Sequence, residues 1–341
     1  MSVITEKIQQ FKVRVLESGE VTRGEALEMI ALESESDIHH LLAAAHEITL
    51  RFHAAIPGLC SLVNAKSYLC SEDCGFCAQS ARFQTQTERY CLMRPEEVLA
   101  VAKKFERAGI RDFCVVTSGS ELNDAEFEQV LNIYRLLKKE TKLNLDGSLG
   151  FLTAERVRAL KEAGVRRINN NLQTSREFYP QIVSTHTYDK RVETMRLLLD
   201  QGVEICSGGI LNLGETREDR IRLAFELKPF HPRCLPVNIL NPRPGTPLEG
   251  RSRLEPKEIL KTIAVYRFIH PQANIKLAGG REYNLNAGEQ VRALQGGANG
   301  LIVGGYLTTQ GDPISCDLDI LNRAGYEFEF QPQNETAVVS S

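Results

Sequence analysis

The stretch DFCVVTSGSELNDAEFEQVLNIYRLLKKETKLNLDGS, residues 112–148, decides the fold. Its first part, DFCVVTS (112–118), and its last, LNLDGS (143–148), are short apolar runs of strand length. Between them, DAEFEQVLNIYRLLKKE spaces its apolar residues at helical intervals. Two short strands joined by one helix make the repeating unit of a parallel sheet. The same alternation continues in both directions. Candidate strands are LCSLVNA (59–65), RINNNL (167–172), VEICSGGI (203–210), CLPVNIL (234–240), NIKLAG (274–279) and GLIVGG (300–305). Helical patterns such as PEEVLAVAKKFERAG, TAERVRALKEAG and KRVETMRLLLDQG separate them, most ending at a glycine suited to a left-handed cap. Eight such units within about 250 residues predict an α/β fold, a closed (β/α)8 TIM-type barrel. A doubly wound open sheet is the alternative.

Upstream, residues 1–55 are polar and helix-prone, with a capping box at Thr22 and Glu25 in EVTRGEALEMIAL. They form an expected N-terminal helical extension to a barrel spanning 56–310. Residues 311–341 are polar and rich in Gln and Asn, and read as a loose C-terminal tail. A chain of 341 residues can bury a core of barrel size. The net charge of −3 leaves no basic footprint for nucleic acid or an anionic membrane. No apolar run approaches a membrane span, and MSVITEKIQQFKVRVLESGE is too polar for a secretory signal. The expected location is therefore the cytoplasm. Nine cysteines, an odd number unevenly spread, fit metal or redox work better than a disulfide framework.

Three of them stand in CSEDCGFC as Cys70, Cys74 and Cys77, a C-x3-C-x2-C spacing placed after the first candidate strand. In a barrel that position is the C-terminal mouth, where chemistry collects. Three neighbouring thiolates on an iron–sulfur cube leave one iron open to a small molecule. A three-cysteine zinc site is the competing reading, but no H-x3-5-H pair follows the triad, and His186, His231 and His270 are scattered.

The run CSEDCGFCAQS resembles the cluster loop of radical S-adenosylmethionine (SAM) enzymes, and its surroundings are similar to the biotin synthase family. The similar segments are NNNLQTSREFYPQIVSTHTYDKR (169–191), CSGGILNLGET (206–216), PVNILNPRPGTPL (236–248), GGRE (279–282) and GGYLTT (304–309). They follow the family's order across nearly the whole chain. The resemblance implies that Cys70, Cys74 and Cys77 hold a [4Fe–4S] cluster whose open iron binds SAM. It places Phe76 near adenine, Asn171 and Gln173 at the ribose, and Arg191 at the methionine carboxylate. Gln173 stands where the family often has aspartate, and an amide still donates and accepts. Asn169 and Asn238 are implied near the substrate, dethiobiotin, whose cyclic urea suits amide partners.

The family's reaction inserts sulfur between two unactivated carbons, with the sulfur drawn from an auxiliary cluster held by three cysteines and an arginine. Cys114, Cys206 and Arg281 match three of these four ligands, while Asp146 stands at the position of the remaining cysteine. Cys60 on the first strand is the expected replacement, giving a variant auxiliary cluster, [2Fe–2S] or larger, on Cys60, Cys114 and Cys206 with Arg281 near or bound. A small buried residue is the plain alternative for Cys60. Cys234 is a weaker candidate, and Cys91 and Cys316 are read as non-ligands. The resemblance further implies an electron donor such as flavodoxin or ferredoxin, and a homodimer. Two other functions compete: a biotin-synthase-like radical SAM maturase or mutase, and a non-catalytic iron–sulfur carrier or zinc-stabilised binding protein.

Overall fold

The computed structural model describes residues 3–68, 70–308 and 311–328. Three N-terminal helices, α1 (Val3–Leu16), α2 (Arg23–Ile30) and α3 (Glu35–His53), come first. The capping box at α2 forms as expected: the Thr22 hydroxyl accepts from the Glu25 N–H, and the Glu25 carboxylate accepts from the Thr22 N–H. Strands and helices then alternate: β1 (Gly58–Lys66), α4 (Pro95–Arg107), β2 (Asp112–Thr117), α5 (Asp124–Glu140), β3 (Asn144–Ser148), α6 (Ala154–Glu162), β4 (Val165–Asn169) and α7 (Tyr188–Asp200). The second half carries β5 (Glu204–Cys206), β6 (Gly209–Leu211), α8 (Arg217–Leu227), β7 (Cys234–Ile239), α9 (Pro256–Ile269) and β8 (Asn274–Leu277). It closes with α10 (Arg281–Asn284), α11 (Ala287–Leu294), β9 (Gly300–Ile302) and α12 (Ile314–Ala324).

All pairings between these strands are parallel, and β1 lies between β2 and β9. On the far side both β5 and β6 pair with β7, as two halves of one interrupted stave. Nine segments thus make eight staves, and the ring is closed. The open-sheet alternative is excluded. The interruption falls at Ser207–Gly208, where a Cβ on Gly208 would lie 2.0 Å from the Pro236 carbonyl oxygen. Only glycine allows β7 to approach the seam that closely.

Helix α9 is buried on every side, from Glu258 through Ile269. It lies between the barrel and the N-terminal extension, contacting α1, α2 and α3. Its one fully buried arginine, Arg267, donates to the carbonyl oxygens of Gly297, His270, Pro271 and Ala273 and to Asn299 Oδ1. Burial draws the Arg267 pKa down to about 9, and the carbonyl cage supplies the acceptors that water would. Lys261 Nζ, also inside, donates to the Leu32 carbonyl and pairs with Glu258.

The segment after Thr309 corrects the expectation of a loose tail. Residues 314–324 form α12, whose Leu318, Ile320 and Leu321 enter the core. Asp317 anchors this helix through a buried ion pair with Arg281 at 2.5 Å, and its second oxygen accepts from the Gly304 N–H. The tail beyond residue 328 lies outside the described residues. Asp317→Ala removes the fully buried carboxylate from Arg281, leaving the guanidinium to Glu282 and Gln290, a change expected to cost about 2 kcal/mol. Urea denaturation of the variant should register that loss, and limited proteolysis should cut first within α12.

Candidate active site

Strand geometry builds the site. Successive residues point to opposite sides of a strand, so every second side chain enters the barrel. Cys60 (β1), Cys114 (β2), Asp146 (β3), Arg167 (β4), Cys206 (β5), Cys234 (β7) and Lys276 (β8) all enter one central cavity of about 330 Å³. Their neighbours Ser61, Phe113, Ile168, Ile205, Leu235 and Ile275 are each buried on the other side. The cluster loop, inserted between β1 and α4, brings Cys70, Cys74 and Cys77 to the same cavity. Seven of the nine cysteines therefore face one space, while Cys91 and Cys316 are exposed.

Backbone hydrogen bonds give the loop its shape: Cys70 N–H to Gln79 O, Ala81 N–H to Cys70 O, and Cys77 N–H to Cys74 O. Burial pushes the Cys74 and Cys77 thiols up to about 12 and about 11, each raised further by the neighbouring thiols of the triad. Cys70 is raised for the same first reason. Arg191, close enough to oppose the shift at all three, also lines the cavity.

The interior thiols fall into two pairs. Cys60 and Cys114 pack together with Val116, and burial pushes the Cys60 thiol up to about 12. Across the barrel, Cys206 and Cys234 are register partners in the seam between β5 and β7. The hydrogen bond between their sulfurs draws the Cys234 thiol down, helped by Lys276 and Arg167, and drives Cys206 up. Among the described residues no three His, Cys, Asp or Glu side chains converge on a point suited to a single metal ion. A cluster makes no such demand, because its thiolates are spread over two or more irons.

Beneath the thiols lies a buried charge network. Arg167 donates to Asp112 Oδ2 at 2.7 Å and through Nε to Asp146 Oδ2 at 3.1 Å, and Lys276 Nζ stands 3.5 Å from Asp112. Burial alone would raise the Asp112 carboxyl, but Lys276 and Arg167 outweigh it and hold the group well below the usual range. Asp146 goes the other way: burial lifts it to about 6 against the pull of Arg167. Its Oδ1 has no hydrogen-bond partner although it is buried at the cavity wall.

One expectation about the interior is corrected here. Arg281 does not face the cavity. It follows the Gly279–Gly280 turn and turns outward, its guanidinium donating to Gln290, Asp317 and the Ile302 carbonyl. The cation that does enter the barrel on that stave is Lys276, five residues earlier and in the middle of β8. Cys234, read as the weaker candidate, sits beside Cys206. A lysine and an arginine buried within short strands (NIKL and VRRIN) are a visible sequence signal of charge inside the barrel.

The remaining expected residues all line the cavity: Phe76, Asn169, Asn171, Gln173, Arg191 and Asn238. Their availability differs. Asn238 spends its amide on the backbone, donating to Gly209 O at 3.1 Å and accepting from the Gly279 N–H at 3.0 Å. Asn171 Oδ1 accepts from the Gly208 N–H, and Asn169 Nδ2 donates to Cys206 Sγ at 3.5 Å. Gln173 has a left-handed backbone (φ 72°), and its Oε1 is buried without a partner. That orphaned acceptor fits a ligand hydroxyl. Tyr306, in the GGYLTT segment, lies between the two thiol groups and feels charge from Cys114, Cys206, Cys77 and Cys60.

The Radical SAM superfamily profile matches residues 66–227, and that of the Biotin and Thiamin Synthesis associated domain matches residues 236–327. A biotin synthase of Clostridium tetani is 42% identical over 322 residues, spanning 94% of this chain and 98% of that protein. Another, from Heliobacterium modesticaldum, is 46% identical across 90% of this chain and 94% of its own. The chain belongs to the biotin synthase family. Among solved structures, methylornithine synthase superposes on this family member with a TM-score of 0.82 at 22% identity, covering 93% of this chain and 96% of its own. The FeFe-hydrogenase maturase HydG of Carboxydothermus hydrogenoformans reaches 0.80 at 16% identity, over 94% and 79%. At such identities these two speak for the barrel alone. Membership in the biotin synthase family implies a [4Fe–4S] cluster, SAM and a second iron–sulfur group, and the seven cavity thiols match that donor demand. No helix among the described residues is long and apolar enough to cross a membrane.

In the iron-free protein, the cavity thiols raised by burial are protonated at neutral pH, and the thiolate is the reactive form. Iodoacetamide at pH 7 should modify exposed Cys91 and Cys316 at least about tenfold faster than Cys60, Cys74 or Cys77. Peptide mass spectrometry reads the order, and equal rates would contradict the buried placement.

Proposed function

We propose that this chain is a biotin synthase that inserts one sulfur atom into dethiobiotin, using two iron–sulfur groups held at opposite ends of one cavity. The observation that carries the reading is the meeting of two thiol sets in a single closed barrel: three from the mouth loop, four from the strands. The substrate carbons are neither acidic nor electrophilic, so no side-chain acid, base or nucleophile can activate them. When bound, the mouth cluster with SAM supplies hydrogen-atom abstraction, and the auxiliary cluster supplies the sulfur.

The protein's own residues bind, orient and shield. Cys70, Cys74 and Cys77 hold the mouth cluster, and Arg191 receives the cofactor carboxylate in a charge-assisted contact. Phe76 packs near adenine, while Asn171 and Gln173 face the ribose, with the orphaned Gln173 Oε1 as its acceptor. Asn169 and the backbone held by Asn238 border the substrate. For the auxiliary group we assign four thiol ligands, Cys60, Cys114, Cys206 and Cys234. Lys276 and Arg167 lie beneath them as counter-charge, which buried thiolates require. Arg281 leaves the ligand set, since its donors are already committed to Gln290 and Asp317. A low-potential donor such as flavodoxin or ferredoxin provides the electrons, and the active form is a homodimer.

A maturase or mutase on the same barrel needs no interior thiol set, so the four strand cysteines favour sulfur insertion over that reading. Anaerobic reconstitution should give 5′-deoxyadenosine only when dethiobiotin is present, together with biotin. Cys60→Ser and Cys234→Ser should each retain the mouth-cluster iron, lose most of the auxiliary iron and sulfide, and cut biotin formation more than about tenfold. Cofactor cleavage independent of dethiobiotin would refute the assignment, and unchanged auxiliary iron in either variant would remove that cysteine from the ligand set.

A further inference from the structure

The cluster loop is tied to a second segment by two consecutive acids that lie between its cysteines. Asp73 accepts from the backbone N–H groups of Ser184 and Thr185, at 2.9 and 3.2 Å. Glu72 Oε2 meets both Thr185 Oγ1 and His186 Nδ1 at 2.5 Å. On its other side, His186 Nε2 receives the Tyr179 hydroxyl at 2.8 Å and Arg191 Nη2 at 3.1 Å. Arg191 Nε donates to the same Tyr179 oxygen at 2.6 Å.

Hydrogen-bond bookkeeping fixes the imidazole. A guanidinium only donates, so Nε2 must be the bare, accepting nitrogen. The tyrosine hydroxyl has taken the Arg191 proton as acceptor and gives its own to Nε2. The ring proton therefore sits on Nδ1 and is donated to Glu72. A carboxylate that pins one nitrogen in this way sets what the other can do.

We propose that His186 and Glu72 are positioning residues that hold the Arg191 guanidinium at the cofactor's carboxylate end, making cluster loop and cofactor pocket one hydrogen-bonded unit. The inference rests on the reading of Arg191 as the carboxylate contact. It has a directional consequence: the loop that carries the iron also carries the acid that orients the imidazole. Cofactor affinity is thereby coupled to correct seating of the cluster loop, through side chains that touch neither iron nor substrate.

Two substitutions divide the roles of the ring. Asparagine places an amide where Nδ1 was, so His186→Asn keeps a donor for Glu72 and loses the acceptor for Arg191. Glutamine reaches the Nε2 position, so His186→Gln restores that acceptor. With the protein reconstituted anaerobically, His186→Asn should load iron normally and bind SAM about tenfold more weakly by equilibrium dialysis. Its reduced cluster should lose most of the change in electron paramagnetic resonance that SAM induces. His186→Gln should bind more tightly than His186→Asn but more weakly than the parent, because it restores the acceptor without the bond to Glu72. Arg191→Ala is the reference. If it loses SAM affinity while His186→Asn keeps both affinity and spectral response, the positioning role is overturned and the Arg191 reading stands. If Arg191→Ala binds SAM as the parent does, the reading underneath has failed, and the inference with it. Failure of His186→Asn to load iron also overturns the proposal, since that variant retains the bond to Glu72.

Discussion

Closure of the strand ring at the seam between β5 and β7 is the constraint on which the site depends. Cys60 and Cys114 stand on neighbouring staves, and Cys206 and Cys234 on the two staves that meet at the seam. In an open sheet these pairs would lie on distant strands and could not share a ligand. Curling the sheet through eight staves brings them to face one enclosed volume. The seam is tight because Gly208 lets the Pro236 carbonyl approach where a side chain would collide. A backbone detail thus decides whether sulfur donors from both halves of the chain can act together.

Enclosure has an electrostatic side. Thiolates and carboxylates are strongly disfavoured in a barrel interior unless cations accompany them. Arg167 and Lys276 answer that need from below, and Arg191 from above. The three cations have different supports: Arg167 bridges two aspartates, Lys276 lies near one, and Arg191 is held by neutral Tyr179 and His186. Only the last keeps its positive charge uncancelled by a direct carboxylate contact among these bonds. This suits a group whose task is to receive an anionic ligand, whereas the lower pair suits permanent balancing of buried charge.

Much of this was legible before any coordinates. The βαβ unit at 112–148 yields the strand–helix period, and the period yields the barrel, because short β-branched runs and longer amphipathic runs differ in both length and spacing. The cysteine triad declares itself through local spacing. Long-range pairings were harder. Cys234 gains its meaning only from Cys206 across the seam, a register relation that no local pattern encodes. Arg281 misled because identity of residue type in GGRE says nothing about which way a side chain leaves a turn; two glycines there redirect it toward α11 and α12. The alternation in NIKL did carry the answer, since Ile275 and Leu277 face the helices and leave Lys276 pointing in. The tail failed for a different reason: the Gln- and Asn-rich stretch that follows drew the reading away from the apolar stripe of α12, whose Leu318, Ile320 and Leu321 enter the core beside the Asp317–Arg281 ion pair.

The burial of α9 on all sides bears on how the polypeptide is made. During translation the first three helices leave the ribosome long before α9 exists; α1 and α3 can pack on each other, but the faces that enclose α9 have nothing to cover them until it emerges. They must wait through the synthesis of most of the barrel, exposed and prone to sticking, until the helix they enclose emerges. Early emergence and late satisfaction make this extension the natural client region for a holding chaperone, and the last-docked shell of an otherwise sequentially assembled cylinder.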